Sequence, residues 1–333
     1  MARFAKLQRR NPQVKISWAT PPLDNRNWFI RHLWPAGTRP VVVASSSAKG
    51  GPKVIIAGVA KGLEESHVQV HIPKLITLGE TFGDYHIVVY ENNSPRVSRH
   101  AMCDALAATS KSSFLFEDLL PGRYGGRTTR IARARNVVLD YIEHNTEGFD
   151  YLLMTDMDGV CGGTNPELSF DTRVFAEAFS RAAEWESLSF VFEPYWDMWA
   201  FRQQDVHPYD HFGMDKDRNR IQDMDSLTLW IHDQPPGELI TVDSAFMMLA
   251  IYKLSSIDGC RYAGSESSKS ILASFLSSGP GATTCEHAPF HQCMRERNNA
   301  RIRILPKVYC EGDPGWIANG STKCGVRPCQ NPV

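Results

Sequence analysis

The sequence predicts an α/β protein: a mostly parallel, Rossmann-like sheet flanked by helices. Three observations carry this. Apolar runs of strand length alternate with longer amphipathic segments from residue 53 to residue 158. The connections between them are short. The last run of the series, "FDYLLMTDMD" (149–158), ends on two aspartates one residue apart, at the edge where such sheets keep their ligands.

The elements follow in order. Residues 1–52 form a basic, aromatic, proline-containing arm in which Lys and Arg outnumber acids 8 to 1 over residues 1–40. It has little periodicity, and reads as an extension packed by its tryptophans or lying near a membrane surface or a partner. "SSSAKGGP" (45–52) is a loop. A strand over 53–62 leads to a helix over 67–83, a second strand over 85–94 and a helix near 99–109. "FLFEDL" (114–119) is a third strand, "PGRYGGR" (121–127) a loop, residues 129–145 a helix and 149–158 the next strand. Beyond it, 187–204 carries a strand into an aromatic segment, and the strongly polar stretch 207–226 reads as a surface loop or lid. Residues 238–254 look like strand material, 285–299 a helix and 300–310 a strand. The expected division is an arm (1–52), a catalytic domain (53–310, with halves 53–163 and 164–310) and a tail (311–333).

Composition narrows the function. At 333 residues, with 42% hydrophobic and 22% charged, the chain suits one large domain with elaborations or two small ones. A net charge of −1 provides no field for nucleic acid. The longest apolar runs, such as 54–60 and 245–252, fall short of the roughly 20 residues a membrane span needs. The opening "MARFAKLQRR" lacks the apolar core of a signal peptide. The chain thus reads as soluble, either cytoplasmic or lumenal after loss of an anchor. Six of the eight cysteines (Cys260, Cys285, Cys293, Cys310, Cys324 and Cys329) lie in the last 74 residues without a C-x-x-C pair. That argues against zinc and leaves disulfides across an irregular tail, or free thiols. Asn92 and Asn319 begin formal glycosylation sequons.

The aspartates Asp156 and Asp158 pose the chemical question. Carboxylates this close repel unless a cation or a shared proton relieves them. Oxygen ligands suit Mg²⁺ or Mn²⁺, although a solvated turn has the same spacing. At the end of the second strand, Glu91 could accept hydrogen bonds from a ribose or base, or could simply cap a turn. Arg127, Arg130, Arg133 and Arg135 precede the aspartate strand, and Arg127 and Arg130 sit three apart on one helix face. Guanidinium forks match a diphosphate, and a solvated helix face would read the same way.

Taken together, "ENNS", "RIARARNVVLDYI" and "FDYLLMTDMD" resemble the nucleotide-binding half of glycosyltransferases with the GT-A fold. "YENNS", "RIARARN", "YWDMWAFR", "VDSAFMMLAIYK", "RYAG" and "CEHAPFH" are similar, in this order, to blocks of the fungal capsule-associated α-1,3-mannosyltransferase family. The resemblance covers roughly residues 53–310. It implies a GT-A domain with an acid at the second strand end (Glu91) and donor contacts from the A-x-A-R-N-like run (Arg135 and Asn136). It further implies a metal on Asp156 and Asp158, and transfer of mannose from GDP-mannose, with retention, to a glycan hydroxyl. The usual members are membrane-anchored, and no anchor is visible here.

Within that reading Glu286 begins the acid-bearing helix and acts as general base, stabiliser of the sugar cation, or acceptor guide. His287, or His291 one turn on, could complete the metal shell. Asp197 and Arg202 among aromatics suit a sugar ring, and Asp243 with Ser244 offers another sugar contact. Two alternatives stand beside it. A haloacid-dehalogenase-like phosphatase would use Asp156 as nucleophile with Ser277, Lys307 and Asp313, and leaves the arginine helix unexplained. A non-catalytic sugar- or nucleotide-binding protein would not need the intact aspartate pair.

Overall fold

A computed structural model describes residues 15–18, 50–118, 126–158, 161, 165–166, 168–191, 197–206, 219–264 and 285–311, with 15–18, 219–223 and 311 described by backbone alone. Its strands are β1 (Lys15–Trp18), β2 (Lys53–Lys61), β3 (Asp84–Asn92), β4 (Ser112–Glu117), β5 (Tyr151–Asp156), β6 (Ser169–Phe170), β7 (Ser187–Val191), β8 (Ile240–Val242), β9 (Leu249–Lys253), β10 (Ile302–Val308) and β11 (Cys310–Glu311). Nine of them form one sheet in the order β1-β4-β3-β2-β5-β9-β7-β10-β8, and β6 pairs separately with β11. In the nine-stranded sheet β9 runs antiparallel to β5 and β7, β8 runs antiparallel to β10, and the other pairs are parallel; the separate β6–β11 pair is antiparallel. The mostly parallel α/β sheet expected from the sequence is what forms.

The apolar runs explain the layering. Val54, Ile55, Ile56 and Ala57 of β2 are all 0% exposed, as a parallel strand covered on both faces requires. Because successive side chains point to opposite faces, Val54 and Ile56 pack with helices α1 (Glu65–Gly79), α2 (Arg96–Leu106) and α4 (Thr172–Ser180). Ile55 and Ala57 pack with α3 (Arg127–Asn145), α5 (Asn219–His232) and α6 (His287–Asn298). From β2 the chain steps to β3 and β4 on one side, then returns to place β5 on the other. The strand order therefore reverses between β2 and β5, and the crevice at their carboxyl ends is the natural ligand position.

Several elements differ from the sequence reading. The arm contributes an edge strand: the backbone of β1 pairs with β4 in register Lys15 to Ser113. The stretch 238–254, read as strand material, forms two strands, β8 and β9. Between β8 and β9, Ser244 bridges to Arg202 and Met248 takes a φ of 61°, so the chain turns out of the sheet and back. Part of the polar stretch is helical: α5 begins at Asn219 and is seated by buried Leu227 and Ile231, four apart on one face. Helix α4, not singled out in the sequence, buries Val174, Phe175 and Ala178 along one face and is capped by Asp171, whose side chain accepts from Arg173 N at 3.0 Å.

Cysteines pair within the domain, as Cys260–Cys293 and Cys161–Cys310, and Cys103 and Cys285 are free and buried. These bonds tie together residues 161–310, within the sheet-bearing part of the chain; Cys324, Cys329 and the rest of 312–333 lie outside the described residues. Among the described residues no helix is long and apolar enough to cross a membrane.

Helix α1 buries His71 to 2% exposure with neither ring nitrogen partnered. Burial, aided by Lys74 and His67, pushes its pKa from 6.5 down to about 4. Below pH 6.5 the unfolded chain takes up a proton that the native state refuses, so stability is lost as pH falls from about 6.5 toward 4. A His71→Phe variant lacks this loss. Its stability relative to wild type should shift in its favour by about 2 kcal/mol between pH 7 and pH 5. Urea unfolding at both pH values measures the shift, and a pH-independent difference would refute it.

Candidate active site

The site is built around the end of β5. Val59 of β2 lies in register with Asp156, whose N–H donates to Met248 O at 2.8 Å. The Asp156 side chain is 24% exposed at the crevice, and Asp158 beyond it is exposed. From the sheet-facing side of α3, Arg135 reaches both halves of the chain. Its Nη2 donates to Asp156 Oδ1 at 2.8 Å and its Nη1 pairs with Glu286, just ahead of α6. The guanidinium is 3% exposed and held between rings, 4.9 Å from the Phe246 centroid and 5.6 Å from that of Tyr262. Tyr262 stacks on Phe290 at 4.0 Å, and His287 stacks on Phe246 at 3.8 Å.

Charge in this cluster is unbalanced. Burial, then the neighbouring Asp156 and Glu286, pushes the Asp197 carboxyl up to about 7, against the pull of Arg135. Asp156 rises to about 6, through burial first and then Asp158 and Glu286, again opposed by Arg135. One guanidinium thus serves three carboxyls with a fourth at the rim. Such a cluster carries excess negative charge unless it takes up protons or a cation.

The donor set fits a hard divalent ion. Two strand-end carboxylates reach solvent, and such an ion completes its shell with phosphate oxygens and water. Among the described residues no three His, Cys, Asp or Glu side chains gather as a ready-made metal cage. His287 is 1% exposed with no hydrogen bond at either ring nitrogen, its Nε2 lying 3.8 Å from Glu286 Oε1, and burial, with Arg135 and His291, holds its pKa well below the ordinary range. It is a neutral imidazole beside Glu286. His291 is committed to the core: its Nδ1 pairs with Ser244 Oγ at 2.8 Å and its Nε2 with Tyr252 OH at 3.3 Å.

Asp156, Glu286, Asp197 and Arg135 therefore come together, with Asp158 and His287 adjacent. The other residues singled out in the sequence stand elsewhere. Glu91 is 1% exposed, ion-paired with Arg99, and accepts from Ser94 N at 3.0 Å, so its carboxylate is committed to the turn after β3. Arg127 and Arg130 occupy the first turn of α3, with Arg127 and Arg135 about 12 Å apart along the axis. Arg127 lies 6.0 Å over the Trp199 ring. Both ends of the Asn136 amide are engaged by the backbone of Tyr262, at 2.8 Å each. Asp243 pairs with Arg295 in a partly exposed ion pair. Arg202 donates to the carbonyls of Trp199 and Phe201 at 2.8 and 2.6 Å. Lys307 pairs with Glu177 of α4, and Ser277 and Asp313 lie outside the described residues.

No protein-family model and no curated protein matches the sequence. Among solved structures the chain is similar to the mannosyltransferase PcManGT from Pyrobaculum calidifontis, in complex with GDP-Man and Mn²⁺. That match has 13% identity and a TM-score of 0.42, over 82% of this chain and 59% of the other. S. aureus TarS 1-349 in complex with UDP-GlcNAc matches at 12% identity and TM-score 0.36, over 78% and 57%. The galactosyltransferase LgtC, in complex with donor and acceptor sugar analogues, matches at 10% and 0.31, over 60% and 57%. The chain spans less than two thirds of the length of each. Each is a likeness of fold at low identity.

Replacing Arg135 by Met should expose the charge imbalance. Removing the cation leaves buried carboxylates uncompensated, at a cost of about 3–5 kcal/mol near pH 8. Asp156 and Asp197 have raised pKa values, so the native state binds protons that the unfolded chain releases, and the deficit should shrink as pH falls toward 5. Chemical unfolding at pH 8 and pH 5 tests this; an equal deficit at both would remove Arg135 from the centre of the cluster.

Proposed function

We propose that the chain is a metal-dependent glycosyltransferase of the GT-A type, moving a hexose from a nucleotide sugar to the hydroxyl of an oligosaccharide acceptor. The observation that carries this reading is the pair Asp156 and Asp158 beside the strand-order reversal, with Asp156 fixed by the buried Arg135. Mannose from GDP-mannose, with retention, is the favoured chemistry on the strength of the sequence blocks alone.

Mn²⁺ or Mg²⁺ would be held by Asp156 and Asp158, with His287 nearby, and once bound supplies Lewis-acid stabilisation of the charge on the departing nucleoside diphosphate. Arg127 and Arg130 offer the diphosphate bidentate donors at the start of α3. Arg135 orients Asp156 toward the donor and Glu286 toward the sugar. Asp197, whose carboxyl burial pushes above its ordinary range, would exchange a proton with the acceptor hydroxyl. Phe246 and Tyr262 cover the guanidinium and exclude water from it. The disulfides favour an oxidising compartment. The phosphatase alternative loses a partner for its nucleophile, since Lys307 is paired on the surface with Glu177.

Asp158 is exposed, so Asp158→Ala should leave the melting temperature unchanged while abolishing transfer and Mn²⁺-dependent binding of GDP by calorimetry. Unaltered metal-dependent affinity would overturn the assignment, and turnover of phosphate monoesters by the wild type would favour the phosphatase. Arg130→Ala should weaken GDP binding by about 1.5–3 kcal/mol, the worth of a charged hydrogen bond, with little change in acceptor KM. Normal GDP affinity in this variant would return Arg130 to the solvated helix face.

A further inference from the structure

We infer that Asn136 is a positioning residue that acts through Tyr262 to hold Arg135 between its two carboxylates. The side chain of Asn136 makes a two-sided clamp: its Nδ2 donates to Tyr262 O and its Oδ1 accepts from Tyr262 N–H, both at 2.8 Å. The two residues are 126 apart in sequence, so the clamp joins α3 to the chain that follows β9. Two residues further on, Gly264 lies so close to α3 that a Cβ there would fall 2.4 Å from Thr129 Cα, an approach open only to glycine. Two residues before Tyr262, Cys260 is bonded to Cys293 of α6. The segment is therefore fastened on α3 and α6 at once, and its one large ring lies over the Arg135 guanidinium. Asn136 follows Arg135 directly in α3, so the residue that fixes the cover is adjacent to the residue covered. With both ends of its amide engaged by one backbone residue, Asn136 is turned toward the chain and not toward a ligand.

The kinetic part of this proposal rests on the transferase reading; the clamp does not. Hydrogen–deuterium exchange on the full chain tests the clamp. In Asn136→Ala the peptide spanning 260–264 should lose protection while peptides within α3 keep theirs. Transfer assays, run well below the melting temperature, test the positioning. Asn136→Ala and Tyr262→Ala should each lower kcat roughly 10- to 100-fold, the range for residues that orient others. The double variant should be no slower than the slower single one, because Asn136 has nothing to position once the ring is gone. Multiplicative losses, or a 260–264 peptide that stays protected, would overturn the proposal. If Asn136→Ala does not fold, Asn136→Asp keeps the acceptor for Tyr262 N–H and loses the donor to its carbonyl, and serves in the same cycle. A wild type that transfers no sugar from any nucleotide sugar would end the transferase reading and leave the exchange result to decide the clamp.

Discussion

Arg135 joins an early helix to a late one through charge. Its guanidinium meets Asp156 from β5 and Glu286 from the start of α6, and both pairs are largely shielded from water. A buried ion pair repays the loss of solvation only where the geometry is good and the remaining donors are satisfied. Here aromatic rings on two sides replace part of the lost solvent. The elements around it can be understood as holding that geometry: the turn between β8 and β9 delivers Phe246, the segment after β9 delivers Tyr262, and α6 with its cap delivers Glu286 and His287. Without a cation at this position, the carboxyls of Asp156, Glu286 and Asp197 could not share so small a space in their ionised forms.

The first half of the fold was legible because each element obeys a single period. β2, β3 and β5 are continuous apolar runs, and the helices between them alternate in a way that only a parallel sheet accommodates. The second half was less legible for physical reasons. The run at 238–254 is largely apolar, and hydropathy does not register a backbone that leaves the sheet after Val242 and returns at Leu249. Helix α5 carries most of its sequence as polar residues, and two apolar anchors among them do not stand out. The exception in the first half is the edge strand β1, fixed by pairing with β4, a long-range contact with no local signature.

The candidate site divides along the same line. Asp156, Asp158 and Arg135 could be picked out because residue type and position at a strand end or on a helix carry chemical meaning. Glu91 shows the limit of that logic: its type and place suit a ribose, yet Arg99, one turn into the next helix, takes the carboxylate. Asn136 was readable as a polar neighbour of Arg135, but its partner is a backbone segment more than a hundred residues away. Phe246 and Tyr262 gave no signal of their own, since an aromatic residue in an apolar run reads first as core.

The disulfide between Cys260 and Cys293 has a practical side. It closes a loop of 33 residues, within which lies Glu286. Closing a loop of this size removes conformational freedom chiefly from the unfolded chain, by an amount on the order of 3 kcal/mol in the entropic account. Recombinant material made in a reducing bacterial cytosol would keep the hydrogen bonds and ring stacking of that region without the covalent tie. The choice of expression host is therefore a choice about how firmly the acidic end of α6 is held.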